Sequence, residues 1–307
     1  MGYSIWLWVG FAAFVLAALA VDLGVFHRND HEITPKEAAS SYATWLSLAL
    51  LFGGGVFVWL GVDKGLEFVT GYAIELSLSA DNIFVFLVIF SDFAVPARYR
   101  HRVLFYGILG ALVLRGAFIA AGVTLLNLFH WVVYLFGAFL IFTSLRLLMR
   151  KSKEVRLEQH PLLRLAHRLL PVTSAYDGQR FITRRCGKLM LTPLALVVLV
   201  VESTDLVFAL DSVPAILGVT RDPFIVYTSN VFAILGLRAL FFLLDDVLHH
   251  FRCLKVGLSL VLAFIGVKML ISNFYEIPIA LSLVVIAAIL ATTMCASYLI
   301  TRQRSLS

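Results

Sequence analysis

Six carboxylates stand where the sequence otherwise reads as hydrocarbon: Asp22, Glu75, Asp81, Glu202, Asp205 and Asp211. The stretch ELSLSADNIFVF (75–86) sets Ser79 and Asn82 beside Glu75 and Asp81, and VVESTDLVFALDS (200–212) carries the next three acids. Each ionised carboxylate at a bilayer centre costs about 2.5–3.5 kcal/mol on insertion scales, so a set this large needs neutralising partners. Two arginines, Arg115 and Arg238, lie in apolar surroundings of their own. They are too few to balance six acids, and the surplus negative charge is what a cation pathway would show. Carboxylate, amide and hydroxyl oxygens are hard donors, suited to Mn²⁺, Ca²⁺ or Mg²⁺ rather than to Cu(I) or Zn²⁺. A site of Glu75, Asp81, Asn82, Glu202, Asp205, Asp211, Ser79 and Asp22, with Arg115 and Arg238 as charge partners, is the expectation.

The elements that must hold these groups are membrane helices. Of 307 residues, 61 % are hydrophobic and 14 % charged, and the mean hydropathy is +0.93. That composition fits an all-α polytopic bundle. Nine apolar stretches are expected as spans, at about 4–26, 42–62, 66–90, 102–126, 128–148, 190–217, 223–244, 254–273 and 277–300. Basic residues crowd near 98–102, in the 149–189 connector, at Arg252 and Lys255, and at Arg302 and Arg304. With nine alternating spans all four clusters fall on one side. The positive-inside rule makes that side the cytoplasm, leaving the N-terminus outside. This clustering around spans explains the net charge of +6 without a nucleic-acid partner. The connector's LLRLAHRLLP (162–171) is amphipathic, fit for the membrane surface or for a solvated loop.

Two segments repeat. SADNIF (79–84) is echoed by STDLVF (203–208), and LVLRGAF (112–118) by LGLRALF (235–241). Asp81 precedes Arg115 by 34 residues and Asp205 precedes Arg238 by 33. The copies, about 66–148 and 190–273, start on the third and the sixth span, an odd number of steps apart, so they would cross the bilayer in opposite directions. This is the inverted-repeat plan of many secondary transporters, with the site where the copies meet.

On an ideal helix Glu75, Ser79 and Asn82 share a face and Asp81 lies about 120° away. Glu202 and Asp205 are neighbours, and Asp211 points elsewhere. Either the acids serve different neighbours or the helices unwind at their polar clusters, and Pro214 with the serine-rich runs favours unwinding. The alternative for Asp81–Arg115 and Asp205–Arg238 is a pair of structural ion pairs. Asp22 could cap or snorkel at a span end. Glu67, Asp245, Asp246 and Lys268 lie nearer span ends and read as interfacial. His27 and His31 lack a third ligand. The three cysteines, Cys186, Cys253 and Cys295, have no CxxC spacing.

The stretches DLGVFHR (22–28), GYAIELSLSADNIFVF (71–86), VLFYGILGALVLRG (103–116), ESTDLVFALDSVPAI (202–216) and DPFIVYTSNVFAILGLRAL (222–240) resemble the TerC/Alx family of bacterial inner-membrane proteins. That family is named for tellurium resistance and placed among LysE-like exporters. The family pattern usually has lysine after the first glutamate, where this chain has Leu76. The resemblance implies manganese export; no enzyme activity and no permanently bound cofactor are expected. It maps the family's acidic metal-site positions onto Glu75, Asp81, Glu202, Asp205 and Asp211. Carboxylates that exchange protons for a dication would couple the two flows. Two functions of other classes compete. A membrane scaffold for a metal- or tellurium-stress complex would tolerate neutralised acids. An intramembrane aspartyl hydrolase would use Asp81 and Asp205 as a dyad, but the chain lacks a GxGD-type motif.

Overall fold

The computed structural model describes residues 5–21, 34–129, 131–149, 171–173, 176–185, 188–244, 254–272, 274–275 and 277–305. Among these residues nine helices fall on the nine apolar stretches: α1 Ile5–Val21, α2 Pro35–Leu60, α3 Val62–Asp92, α4 Ala97–Leu128, α5 Val132–Met149, α6 Pro193–Leu217, α7 Pro223–Leu244, α8 Leu254–Ile271 and α9 Ile279–Ser305. Six of them (α2, α4, α5, α6, α7 and α9) are long and apolar enough to cross a membrane, while α1 and α8 are shorter apolar helices. At 31 residues α3 is long enough to cross, but it is also rich in acids. Asp22, His27, His31, Asp245, Asp246, Cys186, Cys253 and most of the basic connector lie outside the described residues. So does the side chain of Asp81, although its backbone is part of α3.

Local chemistry sets the helix ends. α2 begins earlier than hydropathy suggests because Thr34 and Glu37 form a capping box ahead of Pro35. Gly61, at φ 94°, is the whole connection between α2 and α3, in a backbone region where only glycine is unstrained. Thr192 caps α6, and the Asp222 carboxylate accepts from the Phe224 and Ile225 amides to cap α7. Just before α6 the chain makes a feature that hydropathy did not reveal. Strands β1 Ile182–Arg185 and β2 Lys188–Leu191 form an antiparallel hairpin, so the expected span start at residue 190 is strand and the helix begins at Pro193.

The expected unwinding does not occur. Both α3 and α6 are continuous α-helices through their polar clusters. Ser77 donates to the Ala73 carbonyl at 2.7 Å and Thr204 to the Val200 carbonyl at 2.6 Å. The hydroxyls thus satisfy themselves on the ladder instead of opening it. Pro214, in the last turn of α6, takes one amide from the helix ladder, the one that would bond the Leu210 carbonyl, yet the helix continues to Leu217. Site chemistry therefore falls to side chains.

Packing follows a consistent direction rule. Gly137 lies against the Gly266 carbonyl and Ser144 donates to the Ser259 carbonyl at 2.8 Å, so α5 and α8 run antiparallel. Gly71 meets Ile216, and Phe86 lines the same small cavity as Val201, which makes α3 and α6 antiparallel. Gly116 meets Tyr227, and His101 meets Arg238, which makes α4 and α7 antiparallel. The cross-pairs are parallel: α3 with α7 through Glu75–Asn230 and Phe90–Phe241, and α4 with α6 through Arg115–Asp205 and Gly122–Leu217. The central helix, α7, is buried almost throughout from Phe224 to Phe241. The outside is greasy: Leu51, Val58, Trp59, Val113, Phe142 and Val284 are exposed. Such a surface suits lipid and not water.

The two basic loops near α4 and β1 share one end of the bundle. Tyr176 donates to the Phe93 carbonyl at 2.7 Å, Arg102 bonds Gln179, and the Arg102 guanidinium lies 5.1 Å from the Phe181 ring centroid. Helices α5 and α8 cross closely, so that a Cβ on Gly137 would stand 2.9 Å from the Gly266 carbonyl oxygen. Small residues let backbones approach this closely in membranes. Gly137→Leu is expected to cost about 1–3 kcal/mol by overpacking. The check is thermal unfolding in detergent, where the midpoint should fall; an unchanged midpoint would contradict the close crossing.

Candidate functional site

Four helices meet on one arginine. Arg115, on α4, is 1 % exposed. Its Nη1 donates to Glu75 of α3, and its Nε and Nη2 donate to the two oxygens of Asp205 on α6, at 3.3 and 3.1 Å. Nη1 also reaches Ser212 Oγ of α6 at 3.3 Å and Asn230 Oδ1 of α7 at 3.4 Å. Asn230 turns its amide nitrogen to the other Glu75 oxygen at 3.0 Å. Glu75 is fully buried and Asp205 nearly so. The planar guanidinium serves two carboxylates at once because its donors form a fixed fork. The sum of these three charges is still negative by one.

Asp205 therefore pairs with the arginine of the other segment, and not with Arg238 as the alternative ion-pair scheme expected. Arg238 is also buried; its Nη1 lies 3.0 Å from His101 Nε2. Together with Asp205 it lines a cavity of about 20 Å³, whose other walls include Phe86, Gly107 and Val201. That is room for about one water-sized sphere.

Among the described residues three buried side-chain atoms lack a hydrogen-bond partner: Ser79 Oγ, Asn82 Nδ2 and Glu202 Oε2. All three belong to residues singled out from the sequence. Each orphan costs about 1–3 kcal/mol, more for a charged group, so something outside the protein's own donors and acceptors is called for. Glu202 lies one turn before Asp205 and lays its carboxylate over Gly110, where an added β-carbon would force it to move. Asp211 goes a different way: it is half-buried and accepts from Thr143 of α5 at 3.1 Å, away from Arg115. Asp81 and Asp22 offer no described side chain. Among the described residues no three His, Cys, Asp or Glu side chains converge as a ready metal cage. The structure brings together Glu75 and Asp205, sets Glu202 beside them, and separates Asp211.

These groups are layered. Along α3, Glu67 precedes Glu75, and Asn82 follows; along the parallel α7, Asp222 precedes Asn230, and Arg238 follows. Eight residues of helix span about 12 Å. One layer, at the start of α3, ties Lys64 to Glu67 at 2.8 Å and to Asp222 at 3.1 Å, with Thr220 donating to Glu67 at 2.6 Å. The middle layer is the Arg115 clamp. The third holds the orphan atoms, the small cavity and Arg238, and leads toward the basic-loop end. Glu67 and Lys268 lie near helix ends, as their place in the sequence suggests, and both are buried within the bundle. Neutral Asn230 and Ser212 were not anticipated. The polar run TSN (228–230) inside an otherwise apolar stretch was the available signal.

The family is decided by a match spanning residues 60–305 to the Integral membrane protein TerC family. The chain belongs to that family. It is 54 % identical over 297 residues to “Uncharacterized membrane protein STKORF319” of Myxococcus xanthus, covering 97 % of this chain and 93 % of that one. It is 47 % identical over 296 residues to the Escherichia coli K12 protein named “Putative membrane-bound redox modulator Alx”, covering 94 % and 92 %. A Rickettsia bellii membrane protein is 38 % identical over 290 residues, covering 94 % and 96 %. No solved structure matches the TerC chain.

Asn230 is the neutral group that fixes the clamp, because among the described residues it alone bonds both Glu75 and Arg115. Asn230→Leu strands one Glu75 oxygen and is expected to cost about 1–3 kcal/mol. Differential scanning fluorimetry of the purified protein should show a lower melting temperature; no change would remove Asn230 from the clamp.

Proposed function

We propose that this TerC protein is a secondary exporter of divalent metal cations, Mn²⁺ foremost, working through the buried carboxylates at the meeting of α3, α4, α6 and α7. The observation that carries this is the pair of orphaned buried oxygens, Ser79 Oγ and Glu202 Oε2, beside the Glu75–Arg115–Asp205 clamp. Buried polar groups are ordinarily satisfied. A hydrated or partly dehydrated cation, held by carboxylate, hydroxyl and amide oxygens, is a ligand these residues suit, and Asp81 stands on the same helix to join them. Ca²⁺ and Mg²⁺ share the preference for oxygen. Mn²⁺ is placed first because of the TerC resemblance.

The direction rule of the helices supports an inverted repeat of α3–α5 and α6–α8: each helix runs antiparallel to its counterpart, and the cross-pairs run parallel. One copy rocking against the other would expose the middle layer to alternate sides. The contact between the 93–102 and 171–185 segments supports a single basic face, which the positive-inside rule assigns to the cytoplasm of a bacterial inner membrane. The orphan layer then lies on the cytoplasmic side of the clamp, and the Lys64–Glu67–Asp222 layer on the outer side. Protons returning to the vacated carboxylates would supply the driving exchange.

The redox description of the Alx relatives gives a second reading. Among the described residues its foothold is Cys295, an exposed free thiol on α9. The three cysteines have no dithiol spacing, so redox modulation ranks below cation export.

Glu202→Gln keeps shape and removes charge. In cells under manganese excess, this variant, inserted and expressed as wild type, is expected to raise cellular Mn²⁺ several-fold toward the level of a deletion strain. Elemental analysis of washed cells makes the measurement, and wild-type Mn²⁺ content in the Glu202→Gln strain would remove that carboxylate from the pathway.

A further inference from the structure

The Arg115 guanidinium occupies the position between Glu75 and Asp205 that a bound dication would need. We infer that Arg115 is a tethered counter-cation: it fills the carboxylate pair when the site is empty, and incoming substrate must displace it. This rests on the exporter function proposed above and assigns a role to one residue within it.

Four observations carry the inference. Arg115 is almost wholly buried, so its charge has no water to retreat to. Its donors fall on two acids contributed by helices that belong to different segments, α3 and α6, so it bridges the parts that must move. Neutral acceptors, Ser212 Oγ and Asn230 Oδ1, already lie at 3.3 and 3.4 Å from Nη1, able to hold the guanidinium after the carboxylates release it. Finally, the charge balance favours exchange over addition. Glu75, Asp205 and Arg115 sum to one negative charge; a dication bound by both carboxylates with Arg115 in place would face the guanidinium at close range, whereas moving Arg115 onto its neutral acceptors removes that like-charge contact.

A competing internal cation weakens metal binding and speeds release, because its hold on the carboxylates is subtracted from the affinity of the substrate. It also keeps the empty carrier from being frozen by two bare buried carboxylates. Removing it should therefore change binding and transport in opposite directions. A merely structural role would lower both.

The test uses full-length protein in nanodiscs and in proteoliposomes, with Mn²⁺ alone as the probe. Free Mn²⁺ is followed by its EPR signal for binding and by a trapped indicator for flux. Arg115→Gln is expected to bind Mn²⁺ about tenfold or more tighter than wild type, the factor by which a modest competing interaction shifts an affinity. Its flux should fall, and its melting temperature should rise more on adding Mn²⁺ than that of wild type. Arg115→Lys retains the charge but not the fork, so it is the variant to read if Arg115→Gln fails to fold, and its affinity is expected between those of wild type and Arg115→Gln. Unchanged or weaker Mn²⁺ binding in Arg115→Lys, or in folded Arg115→Gln, while wild type transports normally, overturns the counter-cation role and leaves the exporter function standing. Absence of Mn²⁺ binding and flux in wild type itself overturns both.

Discussion

A single buried guanidinium shared between two buried carboxylates constrains the rest of this structure. Neither Glu75 nor Asp205 is tolerable in a hydrocarbon layer without a cation, and Arg115 is equally costly without an anion. The three must therefore meet, and their meeting fixes how α3, α4 and α6 lie against one another. Asn230 draws in α7 by bonding both the acid and the base. Small residues make the approach possible: Gly110 leaves room for Glu202, and Gly71 lets α3 close on Ser229 of α7. Specific polar contact thus does in the core what apolar burial cannot, since lipid is as apolar as leucine.

The arrangement is asymmetric in charge although the helix directions are symmetric. Of the two arginines in matching segments, Arg115 holds acids from both segments, while Arg238 lies beside His101 and a small cavity. The Asp205 carboxylate is spent on Arg115. The adjacent Glu202, Ser79 and Asn82 are left with unsatisfied atoms. A protein built only to be stable would have closed those groups on each other. They lie on the basic-loop side of Arg115, and the ionic layer of Lys64, Glu67 and Asp222 lies at the opposite end of α3.

Much of the architecture was legible because hydropathy and charge act on long segments. The nine apolar stretches each hold a helix, and the 79–84 and 203–208 echo led to helices that run in opposite directions. What failed was local. Unwinding at the serine-rich clusters was inferred from composition, but Ser77 and Thr204 feed their hydroxyls back to their own helix. The hairpin before α6 hid in a run whose hydropathy continues into the helix. In the site, acid identity was readable while partnership was not: the sequence could not say that Asp205 would take Arg115 over Arg238, or that Asp211 would turn to Thr143, because both depend on rotation of α6. The roles of Asn230 and Ser212 escaped notice because neutral residues carry no insertion penalty large enough to stand out.

The central claim is that the protein itself carries a dication across a membrane through these carboxylates. The most direct measurement is counterflow of isotopic Mn²⁺ in liposomes holding only the purified protein, preloaded with unlabelled Mn²⁺. Carrier action predicts transient uptake of label above equilibrium, abolished in an Asp205→Asn variant that reconstitutes normally. Label that never exceeds the level of protein-free liposomes would contradict it.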